Sequence, residues 1–404
     1  MTKKIALLVA MLMLLVAMSA CAPAAEVATP APAESAGTAE EAAPAETEFK
    51  GEVVFGVVAP ITGNNSMVGE YITNGANMAA DEINAAGGIN GYKLSLVFED
   101  EVDTQQASVN AASKIMEYDD IVAFFGSTYS GNCIAASPIV KENGILMFAG
   151  SAALSIAKEE NPYIWLVRTT DNYVASSLGK AAVNNLGMKN PAILYCTNNY
   201  GVGVKDQLVP YLASAGFTVP ESQIFGFDAD EQNFSAILTL IQESGADGLI
   251  AIGDQMPAAL ICQQMDAAGM DIPRIGSSSW ASAVCRTNAG ASADGWYGIA
   301  DWTIEVTTET GKAFADKYLE LYGADSDMPA VTVYDSIYLF KAACEKAGTV
   351  TDGNAIRAAL AETKDYPGAM TTYTAADNQT LGTTLYLTFN EGGKATMADL
   401  ISID

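Results

Sequence analysis

The feature that most constrains the fold of this chain is a regular alternation of strand-like and helix-like segments, which begins at Glu52. The apolar run EVVFGVVAP at 52–60 precedes a segment whose apolar side chains recur at helical spacing, namely Ile72, Ala76, Ala79 and Ile83. Similar pairs of segments follow as far as the run ILMFA at 145–149. Strands separated by helices of about 10–15 residues are typical of βαβ units, which form parallel sheets.

The alternation restarts after Arg168, with the strand-like runs PAILYC, GLIAIG and PRIGS and helical segments between them. Two sets of comparable size in a chain of 404 residues predict an α/β fold with two doubly wound parallel-sheet lobes. The later runs WYGIADW and LYLTF, and helices near 308–323, 331–347 and 352–362, can complete either lobe.

The first 21 residues have a short basic start, an apolar run and a small-residue end, which is the pattern of a secretory signal. A transmembrane anchor is the alternative, but the apolar run Ile5–Met18 is shorter than the roughly 20 residues that a membrane-spanning helix needs. The final MSAC resembles a bacterial lipobox, although Met18 stands where leucine is usual. That resemblance implies that 1–21 is a lipoprotein signal peptide and that Cys21 carries lipid.

The segment 22–48 consists mainly of alanine, proline and glutamate and contains no aromatic residue. Such a composition does not bury enough apolar surface to offset the entropy of ordering, so the segment is expected to be a disordered linker. A tether behind a lipidated cysteine is its simplest use.

The charge and residue content exclude several classes of function. With 48 acidic against 20 basic residues, the net charge of −28 repels nucleic acid and anionic membrane surfaces. The chain has no histidine, which removes the commonest catalytic triads and histidine-containing metal sites. Dinucleotide and phosphate-loop motifs are absent as well. The sequence therefore predicts a protein that is not an enzyme and has no cofactor and no metal.

Five cysteines follow Cys21, and an odd number cannot all pair within one chain. Buried thiols that behave as small hydrophobes are one interpretation. A Cys262–Cys285 disulfide is the alternative pairing to test first.

The stretch IVAFFGSTYSGN at 121–132 raises the question of a binding site. A buried strand ends there in four consecutive hydroxyl-bearing residues, and a helix follows directly. In parallel sheets, ligands bind beyond the carboxyl ends of strands, and a helix N-terminus favours an anion. An ordinary helix cap is the alternative interpretation. The four residues are Ser127, Thr128, Tyr129 and Ser130.

Several stretches in order, among them APITG, GANMAADEINAAGGINGYKL, RTTD, NNYGVGV and AVTVYDS, resemble one family across about 50–400. It is the leucine/isoleucine/valine-binding family of substrate-binding proteins for ABC importers, with the type I periplasmic-binding fold. The resemblance implies two lobes joined by a multi-strand hinge, with ligand enclosed between them. Chain crossings are expected near 171, 301 and 395. The lobes would then be 50–170 plus 302–395, and 171–301 plus 396–404.

The resemblance also implies ligand-facing positions. Ser130, beside Tyr129, aligns with the serine that holds a ligand carboxylate, and Tyr200 aligns with a tyrosine of the second lobe. The family's second small hydroxyl falls on Ala153, where Ser151 or a backbone N–H is the expected substitute. The family's acidic partner of an α-ammonium falls on Ser278, so that Asp254 is the alternative partner. Trp280, in the same GSSSW stretch as Ser278, completes the expected set.

The function that the resemblance implies is capture of an amino acid or related small polar acid for an ABC importer. The expected partners are the permease's transmembrane subunits, with membrane attachment through the lipid anchor only. The expected location is extracytoplasmic. The alternative is a ligand-sensing domain of the same fold that feeds a membrane receptor.

Overall fold

The computed structural model describes residues 48–102, 104–156, 161–382 and 384–401. The predicted signal peptide with Cys21, and the linker up to residue 47, lie outside these residues. None of the helices in the described ranges combines the length and the hydropathy that a bilayer crossing requires.

The first lobe is built on a five-stranded parallel sheet. Its strands are β1 (Glu52–Ala59), β2 (Lys93–Asp100), β3 (Ala123–Gly126), β4 (Leu146–Ala149) and β5 (Ile164–Leu166). Their order is β2-β1-β3-β4-β5. The helices between them are α1 (Ser66–Ala85), α2 (Gln105–Ile115) and α3 (Ser130–Asn143). The apolar stripe predicted for α1 is buried, as a helix packed on a sheet requires.

The second lobe begins with α4 (Asp171–Lys180), which continues as a π-helical turn over 181–185. Its parallel strands are β6 (Pro191–Cys196), β7 (Ile224–Phe227), β8 (Gly248–Ile252), β9 (Arg274–Gly276) and β10 (Tyr297–Ala300). The accompanying helices are α5 (Asn199–Ser214), α6 (Ser235–Glu243), α7 (Gln255–Ala267), α8 (Ser278–Ala281) and α9 (Ala283–Ala289). Apolar clusters on both faces of this sheet make it doubly wound, so the predicted α/β class is confirmed.

The chain then returns to the first lobe with α10 (Glu309–Tyr322), α11 (Met328–Ala347), α12 (Gly353–Leu360) and the short hairpin β11 (Tyr366–Pro367) and β12 (Thr372–Tyr373). Phe340 of α11 packs on Phe55 of β1, with ring centroids 5.2 Å apart. Helix α11 also holds α1, because the hydroxyls of Tyr334 and Tyr338 both donate to Glu82 Oε2. Phe314 of α10 and Ile356 of α12 belong to the same apolar cluster as Phe55, so all three helices, which the sequence left open, pack on the first lobe.

The last two strands correct one predicted boundary. Strand β13 (Leu385–Glu391) pairs antiparallel with β10, and β14 (Lys394–Ile401) pairs antiparallel with β13, which gives a seven-stranded mixed sheet. Gly392 and Gly393 join them with φ of +58° and +78°, as a tight primed hairpin turn requires. The sequence predicts that 302–395 belongs to the first lobe, but β13 is hydrogen-bonded into the second sheet. The last crossing therefore lies before Leu385; the rest of the division stays a prediction.

The three connecting segments lie side by side. Arg168, which follows β5, forms an ion pair with Asp301, which follows β10; its Nε lies 2.7 Å from Oδ2. Thr169 and Thr384 exchange two hydrogen bonds of 3.0 Å through the threonine hydroxyl and the backbone of residue 384. Because the carboxyl ends of β5 and β10 meet here, this junction forms the floor of the space between the sheets.

Candidate functional site

A cleft of about 530 Å³ lies where the carboxyl ends of strands from both sheets face each other. This is the position that open parallel sheets provide for ligands. Five of the predicted site residues line it: Tyr129, Ser130, Tyr200, Asp254 and Ser278. The fold thus brings together residues that lie up to about 150 positions apart in the chain.

The loop before α3 is held by a buried carboxylate. Glu101 is fully buried and accepts hydrogen bonds of 2.8 Å from Ser127 Oγ and from Asn132 Nδ2. Ser127 Oγ in turn accepts from the backbone N–H of Tyr129, at 2.9 Å. Thr128 donates to the carbonyl of Gly150. Ser127 and Thr128 therefore fix the loop through their hydroxyls. Thr128, Tyr129 and Ser130 line the cleft, whereas Ser127 does not.

The hydroxyl of Ser130 is oriented by a short chain of hydrogen bonds. The backbone N–H of Ala153 donates to Ser151 Oγ at 3.1 Å, and Ser151 Oγ donates to Ser130 Oγ at 2.9 Å. Because Ser130 accepts from Ser151, its own proton is left to donate toward the cleft. The first N–H groups of α3 have no partner within the helix. Together these groups present hydrogen-bond donors of the kind that suit an anion.

On the other side, Asp254 precedes α7 and lines the cleft. Asn198 Nδ2 donates to its Oδ2 at 2.7 Å, while Asn198 Oδ1 caps α5 by accepting from the N–H of Gly201. Burial raises the pKa of Asp254 to about 6, and the hydrogen bond from Asn198 only partly opposes this. The carboxylate is therefore costly to ionise in the free protein, and a cationic partner would relieve that cost.

Ser278 has a different environment. Its Oγ accepts from Arg168 Nη2 at 3.2 Å, and the same guanidinium binds Asp301 and the carbonyl of Gly150. The hydroxyl of Tyr200 lies near Ser278, and burial raises the pKa of this tyrosine. A guanidinium beside Ser278 disfavours a second cation there, whereas Asp254 is an anion without an ion pair among the described residues.

Three predicted residues do not line the cleft. Trp280 is fully buried in the second lobe, where it packs against Trp296 at 5.5 Å between ring centroids. Ala153 is fully buried in the first lobe's core. Ser151 is also buried and acts on the cleft only through Ser130. The expectation that all three contact ligand is thus corrected, because packing against neighbouring elements turns them inward.

The sequence prediction missed several lining residues. Arg168 belongs to the RTTD stretch that carried the family resemblance, but its role emerges only from Asp301, which lies 133 positions away. Asn198, Gln255 and Met256 also line the cleft. Asn198 and Gln255 each lie at the start of a helix that follows a strand, and this local pattern could have predicted them.

The cysteines follow the simpler of the two interpretations. All five cysteines of the described ranges are free and buried. Cys262 and Cys285 are neighbours, and burial raises the pKa of the Cys262 thiol. The alternative, a Cys262–Cys285 disulfide, is not formed in this structure. No cluster of metal-ligating side chains occurs among the residues that the structure covers.

Comparisons with known proteins agree with this architecture. A model of the periplasmic binding protein family matches residues 52–394. Leu/Ile/Val-binding protein homolog 3 of Brucella melitensis is 26% identical over 329 residues, 81% of this chain and 88% of that protein. A leucine-binding protein LivK from Thermotoga maritima has a TM-score of 0.81 at 21% identity, covering 86% of this chain and 98% of that chain. LivJ from Streptococcus pneumoniae, solved with isoleucine, has a TM-score of 0.79 at 22% identity, covering 87% and 99%.

Two doubly wound lobes with a cleft at their strand ends define a two-lobed solute-binding protein. The chain belongs to the periplasmic binding protein family. Members of this family are solute-binding proteins and not enzymes, and those that serve ABC importers act outside the cytoplasm.

Proposed function

We propose that this protein is the solute-binding lipoprotein of an ABC importer and captures an amino acid, or a related small polar acid, between its lobes. The observation that carries the proposal is the pairing of two opposite positions in one cleft. Ser130 and the start of α3 offer hydrogen-bond donors to a carboxylate, and Asp254 offers an acceptor to an ammonium group.

The charge of the protein favours a zwitterion. A chain with a net charge of −28 repels simple anions at long range, so a carboxylate needs local donors and gains from an accompanying ammonium group. Arg168, which is paired with Asp301, keeps Ser278 from serving as the ammonium partner and leaves that role to Asp254.

The names of the relatives support the same ligand class. The Brucella melitensis relative is named as a Leu/Ile/Val-binding protein, and the Streptococcus pneumoniae structure contains isoleucine. We infer from them that the ligand of this chain is an α-amino acid, delivered to the transmembrane subunits of a permease when the lobes close. The sensing role that the sequence left open has no described feature in its favour.

The ligand class is tested by calorimetry on the purified full chain in mild detergent. A panel of L-amino acids, their deaminated acids and their amides separates the two positions. At least one L-amino acid is expected to bind at least tenfold more tightly than its deaminated acid and its amide. Binding of no amino acid at millimolar concentration would reject the proposal.

Anchoring is tested separately, because it depends on Cys21 and not on the cleft. Cells fed a labelled fatty acid should label the wild-type chain, and Cys21→Ser should abolish the label. Cys133→Ser is the matched control, since that thiol is buried in the fold. An unlabelled wild-type chain would leave a secreted, unanchored protein.

A further inference from the structure

The cleft carries more side-chain amides than the two charged positions require. Seven amides from both lobes line it: Asn64, Asn65, Gln105, Asn132, Asn198, Gln232 and Gln255. Asn132 donates to Glu101, and Gln232 donates to the carbonyl of Asp230. Asn198 is committed to Asp254 and to the cap of α5. An amide that loses water to an aliphatic ligand group loses hydrogen bonds without replacement, which costs free energy. This wall therefore disfavours an aliphatic side chain.

Gln255 is the amide that solvent cannot satisfy. It opens α7 directly after Asp254, is only 4% exposed, and lines the cleft. Its Oε1 is buried and has no hydrogen-bond partner among the described residues. The last torsion of a glutamine is broad, so a modest rotation turns this oxygen toward a ligand donor. Such a buried acceptor next to Asp254 favours a ligand that brings an N–H or O–H group.

The lobes also bring amides together at the anion position. A Cβ added to Gly131, at the start of α3, would lie 2.5 Å from Gln105 Nε2 and 3.0 Å from Asn199 Oδ1. Gln105 belongs to the first lobe and Asn199 to the second, so amide groups from both lobes lie against the start of α3. The larger apolar side chains of the lining, Met256, Leu260 and Met328, are enough to cover the methylene groups of a ligand.

We propose that the side chain of the captured amino acid is polar and ends in a hydrogen-bond donor such as an amide, and that Gln255 selects it. The inference rests on the proposed amino-acid function and specifies its ligand class. It distinguishes the ligand of this protein from the aliphatic amino acids in the names of its relatives. A site built to hydrogen-bond a group discriminates strongly against the isostere that lacks it.

The test uses two pairs of isosteres in calorimetry on the purified full chain. L-asparagine is compared with L-leucine, which has the same side-chain shape without the amide, and L-glutamine with L-homoleucine. In at least one pair the amide is expected to bind at least tenfold more tightly. Gln255→Met, which keeps the length of the side chain, should reduce that ratio about tenfold. Gln263→Leu, on the same helix but outside the cleft lining, is the matched control and should leave the ratio unchanged.

The other possible results of this calorimetry experiment each contradict a different part of the proposal. If leucine and homoleucine bind as tightly as their amide partners or more tightly, the polar ligand class is overturned while the amino-acid function stands. If Gln255→Met unfolds at the wild-type temperature but keeps the full ratio, Gln255 is not the selecting residue. Should Gln255→Met fail to fold, the wild-type ratio alone decides the ligand class. If none of the four binds at millimolar concentration, this inference fails, and the wider amino-acid panel decides separately whether the proposed function stands.

Discussion

Replacing Asp254 with asparagine separates the binding role of this residue from its cost to stability. Burial raises the pKa of Asp254 from 3.8 to about 6, so the folded protein holds the proton more tightly than the unfolded chain does. The free energy of unfolding therefore falls as the pH rises from about 4 to about 6, and it stays lower above that range. The corresponding cost at neutral pH is roughly 3 kcal/mol as an upper bound.

Asp254→Asn removes this cost, since the amide stays neutral at every pH. The ligand-free variant is expected to unfold a few degrees higher than the wild type at pH 7.5, and the difference should vanish near pH 4. Binding should change in the opposite direction. An amino-acid ligand loses one charge-assisted hydrogen bond, which corresponds to about 1.5–3 kcal/mol, or about tenfold to a hundredfold in Kd.

The pH dependence of binding gives an independent measurement. Only about a tenth of the Asp254 carboxyl groups are ionised at pH 5 if the pKa is about 6, so the wild-type Kd should rise about tenfold between pH 7.5 and pH 5. The α-amino and α-carboxyl groups of the ligand do not titrate in this range. Asp254→Asn should show a flat profile, measured by calorimetry beside thermal unfolding.

Asp335 supplies the matched control. Burial also raises its pKa to about 6, but it accepts hydrogen bonds from Ala369, Met370 and Tyr373 inside the first lobe. Asp335→Asn should therefore destabilise the protein and leave the pH profile of binding intact. Equal ligand affinity in wild type and Asp254→Asn would refute the assigned role of Asp254. A lower unfolding temperature in Asp254→Asn would refute the argument that its ionisation is costly.

Three further predictions follow from hydrogen bonds and close contacts outside the ligand. Ser151→Ala leaves Ser130 without its donor and should weaken a carboxylate ligand about fivefold in calorimetry; an unchanged Kd would contradict this orienting role. Asp327 caps α11 and also accepts a hydrogen bond from the backbone N–H of Ala283, at the start of α9 in the other lobe. Asp327→Asn should therefore raise the Kd of every ligand by the same factor. A factor that differs between ligands would contradict this. Gly276→Ala places a Cβ 2.2 Å from the Trp280 ring and should lower the unfolding temperature markedly; an unchanged temperature would show that the ring can shift.

The sequence carried most of the fold because its strands are unbroken apolar runs. Buried parallel strands have this pattern on both faces, so β1, β3 and β8 were visible without any contact information. The sheet to which a strand belongs is a different matter. The run LYLTF has the same pattern in either lobe, and only its antiparallel pairing with β10 assigns it.

The residues of the candidate site likewise differ in whether their role depends on local sequence or on distant contacts. Ser130 was visible because a strand, a polar loop and a helix start follow one another locally, which is what positions an anion site. Arg168 was missed because its meaning depends on Asp301, a partner in another connecting segment. Trp280 was misplaced because a tryptophan in a serine-rich loop gives no local sign of which way its ring packs, and here it packs on Trp296.

The hydroxyls after β3 show why local pattern alone overstates a site. Four consecutive side chains have the same chemistry, yet Ser127 is bound to the buried Glu101 and Thr128 to the carbonyl of Gly150. Because a buried polar group needs partners, the protein core takes hydroxyls as readily as a ligand does. What distinguishes Ser130 is that its bond from Ser151 uses its acceptor and leaves its proton free. A ligand site is therefore recognised by the hydrogen-bonding capacity that the fold leaves unused, which the sequence does not show and the contacts do.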